Sequence, residues 1–176
     1  IKELYQIENI DQRIKIGALV TFTELRTLIK KQIPELARFL NIFASPQIKN
    51  VATLVGNVAN GSPIGDSLPF MMVADGKIHA LGENGERVIP MEELYQGYKS
   101  LSLLPDEIIT HASFSVPKKT QHLKLFKVSQ RKDLDISTIN AAFLSEFYDD
   151  KIHELKIAFG GVYQSVIRLK KIEDFL

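Results

Sequence analysis

Apolar residues recur along this chain with a spacing that shifts between two and three-to-four. In "RIKIGALVTFTEL" the alternation predicts a β-run over residues 14–20, and Thr21 with Glu24 has the spacing of a capping box, so a helix is expected to follow at once. From Phe22 to Phe43 the residues Leu25, Leu28, Ile29, Leu36, Phe39, Leu40 and Phe43 keep helical spacing, and Pro34 splits the stretch into two helices. "FMMVADGKIHALGENGERVIP" predicts two strands about the Asp75-Gly76 turn signal and a further turn at residues 82–85, which together make a β-meander. "MEELYQGY" reads as a short helix, and "DEIITHASFSVP" as a strand ended by Pro117. After the polar, basic "KKTQH" come three strand-like runs, "LKLFKVSQR", "INAAFLSEFYD" and "HELKIAFGGV", and then the amphipathic helical pattern "IRLKKIEDFL". The expected class is α+β in two units, residues 1–117 and 118–176, the second a three-stranded antiparallel sheet with a helix packed on it.

Composition narrows the chemistry. With 22 Lys plus Arg against 21 Asp plus Glu, a formal charge of +1, no bulk field favours nucleic acid or an anionic membrane. No window approaches the roughly 18 consecutive apolar residues that cross a bilayer, so no membrane partner and a cytoplasmic location are expected. The absence of cysteine excludes a disulfide, a thiolate metal site or a cysteine-held iron–sulfur cluster within these residues. His79, His111, His122 and His153 lack ligand spacing and read as surface or structural residues, so no metal is expected. Lys49 and Lys119 read as exposed lysines.

The stretch "ATLVGNVANGSPIGDSLP" is part turn and part core. Glycines admit positive φ, and exposed amides in such turns form a concavity for anions. Asn57, Asn60 and Ser62 add side-chain donors beside Gly56 and Gly61, and Asp66 adds a carboxylate able to accept from sugar hydroxyls. A nucleotide cradle and an ordinary Gly/Asn-rich loop both fit. There is no G-x-x-x-x-G-K-[ST], nor a G-x-G-x-x-G after a strand, so neither P-loop nor Rossmann chemistry is supported.

"TLVGNVANGSPIGD" resembles the T-x-G-G-N-x-x-x-x-S-P-x-x-D segment of the flavoprotein in the xanthine dehydrogenase and carbon monoxide dehydrogenase family. "IGALVTFTEL", "PELARFLNIFASPQIKNVAT", "PDEIITHASFSVP", "FKVSQRKDLDIS" and "LKIAFGGV" are similar to further segments, in the family's order. One departure is Val55-Gly56 where the family has a glycine pair. The resemblance implies the second part of a PCMH-type FAD-binding domain followed by the flavoprotein C-terminal subdomain. It implies FAD shared with an N-terminal FAD subdomain that would precede Ile1, making the chain a fragment.

By the same resemblance, Thr53, Gly56, Asn57 and Ser62 face the FAD pyrophosphate and ribityl region, and Asp66 meets a cofactor hydroxyl. Phe43 lies near the ring, Ile108 and Ile109 line the isoalloxazine pocket, Lys127 approaches the ring's polar edge, and Asp135 is a weaker candidate. Plain core packing is the alternative for Phe43, Ile108 and Ile109. A solvated charged face with Arg131, Asp133 and Asp135 is the alternative for Lys127. The family implies an oxidoreductase relay in which electrons from iron–sulfur clusters on a partner pass through the flavin to NAD, while substrate is oxidised at a molybdenum cofactor elsewhere. No catalytic side chain is required of this chain. A different flavoprotein of the same broad fold, such as a cell-wall precursor reductase, and a flavin-free interaction scaffold are the alternatives.

Overall fold

The structure is a computed structural model describing residues 2–132, 134–149 and 151–175. A 3-10 turn, Lys2–Tyr5, precedes a hairpin of β1 (Ile7–Ile10) and β2 (Arg13–Gly17), which reverses through Asp11 and Gln12, both at positive φ. Alternation sends Ile14 and Ile16 into the core and turns Arg13 and Lys15 outward. The strand stops at Gly17, short of position 20, because the 3-10 turn lies directly on that glycine. A Cβ there would sit 2.2 Å from the Leu4 carbonyl oxygen. The capping box is present: Thr21 N donates to Glu24 Oε2 at 2.8 Å and Glu24 N to Thr21 Oγ1 at 3.3 Å, opening α1 (Phe22–Ile29). Pro34 occupies the first turn of α2 (Pro34–Ile42), so the proline divides two helices as its missing N–H requires.

α3 (Pro46–Lys49) brings a correction. Lys49 is only 6% exposed, and its ammonium donates to the carbonyls of Leu40 at 2.8 Å and Asn41 at 3.2 Å. It covers otherwise unpaired carbonyls at the C-terminal end of α2.

The Gly/Asn-rich stretch forms two short helices, α4 (Leu54–Asn60) and α5 (Leu68–Val73). The predicted strand "FMMV" is therefore helix. Every residue of α5 is buried, so no polar face marked its period, and Pro69 suits its first turn. Asp75-Gly76 consequently joins α5 to β3 (Lys77–Gly82) instead of turning a hairpin. β3 does pair with β4 (Gly85–Pro90); α6 (Met91–Leu94), β5 (Tyr95–Gly97) and β6 (Ser100–Leu101) follow, and β7 (Ile108–Ser115) returns to the middle of the sheet. The antiparallel order is β1-β2-β7-β3-β4, with β7 inserted between β2 and β3 where a meander would have kept sequence neighbours together.

β8 (Gln121–Val128), β9 (Ile139–Tyr148) and β10 (Lys151–Gly160) form the expected antiparallel sheet, which gains a two-residue edge strand, β11 (Ile167–Arg168). The closing helix is confined to α7 (Lys170–Glu173), since residues 167–168 pair with β10; Leu176, the last residue of that pattern, lies outside the described residues. The α+β class stands, built from mixed helices and antiparallel sheets. α5 packs against β9, β10 and β11 while its Phe70 meets Phe114 of β7 edge-on at 5.0 Å, so one buried helix belongs to the cores of both sheets.

His79 and His111 are cross-strand partners with rings edge-to-face at 6.3 Å. His79 bonds Glu86 Oε1 at 2.9 Å and Ser113 Oγ at 3.0 Å. Burial holds both imidazoles below the ordinary 6.5, the neighbouring Lys15 ammonium adding to it, while Glu86 opposes. A histidine with a lowered folded value binds fewer protons folded than unfolded, so its contribution is complete above the unfolded value and is lost as pH falls through the folded one. Stability measured by denaturant midpoint is expected to fall as pH drops below about 6.5, and the His79→Gln/His111→Gln pair to flatten that slope. An unchanged slope in the double variant would remove the histidines from the account. His122 and His153 are exposed, and no group of three or more metal-ligating side chains occurs among the described residues. No helix of the described residues is long and apolar enough to cross a membrane.

Candidate cofactor cleft

α4 is shaped at both ends by particular residues. Thr53 is its N-cap, with Oγ1 accepting from Gly56 N at 2.9 Å, and a Cβ at Gly56 would lie only 3.0 Å from that oxygen. Glycine gives this cap, shorter at 2.9 Å than the 3.3 Å bond over Glu24, more room. Gly61 ends the helix in the left-handed conformation, φ 58°, which only glycine adopts without strain. Val55, at the first position of the family's glycine pair, is buried in the core. The exposed side of the helix carries Asn57, whose Oδ1 accepts from Ser67 Oγ at 2.6 Å. This leaves the two amide N–H bonds of Asn57 without an acceptor among the described residues.

Beside α4 opens a cleft of about 340 Å³, walled by Phe43 to Ile48, the turn after α4, Lys127 on β8 and residues 134–137. Phe43, Asn57, Ser62, Asp66 and Lys127 all line it, as does Asp135. These positions span 92 residue steps, from 43 to 135, and folding collects them in one place. Phe43 is mostly buried, its ring centroid 4.5 Å from that of Phe22, so it is a core residue that also borders the cleft. Asp135 has its carboxylate held by Arg131, whose backbone N–H at 2.8 Å and guanidinium at 3.2 Å keep the carboxyl below its usual range. Arg131 is exposed, in keeping with a solvated charged face; Asp133, named with it, lies outside the described residues.

Asp66 and Lys127 are bound to each other. The carboxylate is 9% exposed; its Oδ2 accepts from Lys127 Nζ at 2.6 Å, and its Oδ1 accepts from Ser137 Oγ and from Asn140 Nδ2 at 3.0 Å. All three donors come from β8, β9 and the loop joining them, so Asp66 ties that sheet to the segment between α4 and α5. A further tie runs from Lys156 Nζ to Asp75 Oδ2 at 2.7 Å, and another from Arg168 to Glu92 at 2.8 Å. A carboxylate has about four acceptor positions, so one remains for a ligand hydroxyl. Ser67, Ser137 and Asn140 were missed in the sequence. The available signal was a polar residue inside the apolar run "INAAF", in register with Lys127 across the β8–β9 pair.

Thr53 and Gly56 shape α4 and do not line the cleft. Ile108 and Ile109 stand at the start of β7, also outside its lining. Ile108 is 60% exposed, which core packing does not explain, whereas Ile109 packs against the core. The donor set fits an extended polar ligand with a flat apolar part: the Asn57 amide, the Ser62 hydroxyl and the Lys127 ammonium face the apolar side chains of Phe43, Ile48 and Ile136.

The comparisons bear on what such a ligand is. A family model described as the FAD binding domain in molybdopterin dehydrogenase matches residues 1–119, and one described as the CO dehydrogenase flavoprotein C-terminal domain matches 124–176. The xanthine dehydrogenase FAD-binding subunit of Escherichia coli O157:H7 is 32% identical over 93% of this chain and 57% of its own length. The xanthine dehydrogenase of Emericella nidulans is 31% identical over the whole chain and 14% of its own length. Among solved structures, a cyanide-inactivated Cu,Mo-CO dehydrogenase superposes with TM-score 0.92 at 25% identity, covering 100% of this chain and 62% of that one. The CO dehydrogenase of Hydrogenophaga pseudoflava, at 22% identity and TM-score 0.93 over the same shares, supports the fold. The chain thus spans between about one-seventh and under two-thirds of these relatives. With residues 1–119 matched by that family model, the chain belongs to the family of FAD binding domains of molybdopterin dehydrogenases.

Proposed function

We propose that this chain forms one wall of an FAD site in an oxidoreductase of the molybdenum hydroxylase type. Residues 1–117 serve as the flavin-binding part and 118–176 as the C-terminal subdomain, with an N-terminal FAD subdomain supplying the opposite wall. In the complete cytoplasmic protein or complex, electrons arrive from iron–sulfur clusters on a partner that also serves a molybdenum cofactor, and leave for NAD or another acceptor. The relatives named xanthine dehydrogenase FAD-binding subunit and CO dehydrogenase support this reading. The observation that carries it is the single cleft into which Phe43, Asn57, Ser62, Asp66 and Lys127 converge.

Bound FAD supplies reversible electron uptake, and the protein's part is to hold and tune it. Asn57, its carbonyl fixed by Ser67, donates amide N–H bonds into the cleft; Ser62 adds a hydroxyl, and the free acceptor position of Asp66 takes a cofactor hydroxyl. Thr53 and Gly56 hold α4 so that Asn57 faces inward, beside the pyrophosphate. Ile108 offers exposed apolar surface for the ring at the start of β7, with Ile109 packed against the core beside it.

Flavin content of the complete purified protein tests the reading. Asn57→Asp keeps the acceptor for Ser67 while replacing the amide donor by a carboxylate oxygen. It is expected to lower FAD affinity by about 1–3 kcal/mol, roughly 5- to 150-fold, with circular dichroism unchanged. Lys119→Ala, on an exposed lysine, is expected to leave flavin content as it was. A colourless protein with every piece present would favour the flavin-free scaffold.

A further inference from the structure

We infer that Asn140, helped by Ser137, is a positioning residue for the Lys127 ammonium, acting through the Asp66 carboxylate; the inference rests on the cleft being the flavin site. Asn140 is 1% exposed on β9, directly opposite Lys127 of β8 in the sheet register. Its Nδ2 spends both N–H bonds, on the Ile64 carbonyl at 3.0 Å and on Asp66 Oδ1 at 3.0 Å. A flipped amide would set its oxygen against two acceptors, so the hydrogen bonds define its orientation. Behind the amide stands Gly160. A Cβ there would lie 2.2 Å from Asn140 Oδ1 and 2.7 Å from the Pro63 carbonyl, so glycine makes room for the amide while the close backbone keeps it from retreating. Asn140 Oδ1 has no hydrogen-bond partner among the described residues, consistent with a side chain placed for what its nitrogen holds.

The held group is Asp66. Two donors converge on Oδ1, and this fixes the plane of the carboxylate; Oδ2 then fixes Lys127 at 2.6 Å. A lysine stem is flexible and keeps several rotamers unless its end is anchored. Lys127 is anchored, its side chain 7% exposed, yet only one of its three N–H donors has an acceptor among the described residues. The ammonium lines the cleft with two donors unspent. Its field favours negative charge gained on reduction of a bound flavin, so its placement is a lever on the flavin's potential.

The test uses the complete flavoprotein, both FAD-loaded and flavin-stripped. In the loaded protein Lys127→Met is expected to make the FAD midpoint potential more negative. Asn140→Ala and Ser137→Ala are expected to shift it the same way by less, and adding Asn140→Ala to Lys127→Met to shift it no further. In the stripped protein, the ammonium ¹H–¹⁵N signal of Lys127 should be visible at low temperature in the wild type and broadened by solvent exchange in Asn140→Ala and Ser137→Ala. A wild-type potential in the Asn140 and Ser137 variants, or shifts that add to that of Lys127→Met, overturns the positioning role. A protein that takes up no FAD defeats the functional reading. The lysine signal then still decides whether Asn140 holds Lys127, and a signal unchanged by both variants overturns that as well. Asn140→Ala leaves a cavity, and Ser137→Ala, a much smaller change, covers the case in which the former fails to fold.

Discussion

Asp66→Ala in the complete protein will lower stability by about 3–5 kcal/mol, because it removes one member of a buried ion pair and leaves the other in place. Lys127 would keep its charge with its side chain 7% exposed, and Ser137 and Asn140 would lose the acceptor they share. Those three donors belong to β8, β9 and their connecting loop, and Asp66 to the segment before α5, so the loss falls on the joint between that sheet and this segment. Amide hydrogen exchange at β8 and β9 is expected to accelerate by about a hundredfold or more. Lys127→Met should be milder, since Asp66 keeps two hydrogen bonds. The double variant should recover part of the loss, since neither charge is stranded. If Asp66→Ala and Lys127→Met act additively and each costs under about 1 kcal/mol, as exposed pairs do, the pair does not join the β8–β9 sheet to the segment before α5.

Phe70→Ala will be comparably severe for a different reason. The ring is fully buried on α5, packed edge-on against Phe114, on the helix that also lies against β9 and β10. Truncating a buried phenylalanine typically costs about 3–5 kcal/mol through lost transfer energy and the cavity left behind. Phe70→Leu, which keeps much of the volume, should cost less. The distinguishing observation is where protection is lost: faster exchange in both β7 and β9 marks α5 as a shared core. Acceleration confined to one sheet would mean that each sheet has its own.

The parts legible in the sequence were those decided locally. The capping box at Thr21 and Glu24, the break at Pro34 and the three strands after Lys118 each carry their signal within a few residues. Elements set by their surroundings were harder to see. α5 is apolar on every side and six residues long, so periodicity could not separate it from a strand. α4 consists largely of poor helix formers and owes its existence to the Thr53 cap, the Gly61 terminus and the core beneath Leu54, Val55 and Val58. Lys49 looked like a surface lysine because its carbonyl partners, eight and nine residues earlier, become neighbours only when α3 folds back on α2. In the cleft, the resemblance led to Asp66 and Lys127 one at a time, but not to their contact. Their bond crosses 61 residues, and the donors that fix it lie 71 and 74 residues from Asp66.

The structure of the complete protein crystallised with FAD tests the central claim most directly. The account predicts cofactor density in the cleft between α4 and residues 134–137, with Asn57 and Lys127 within hydrogen-bond reach of it and Asp66 still bound to Ser137 and Asn140. FAD bound at another surface, or a cleft left empty at saturating FAD, would contradict it.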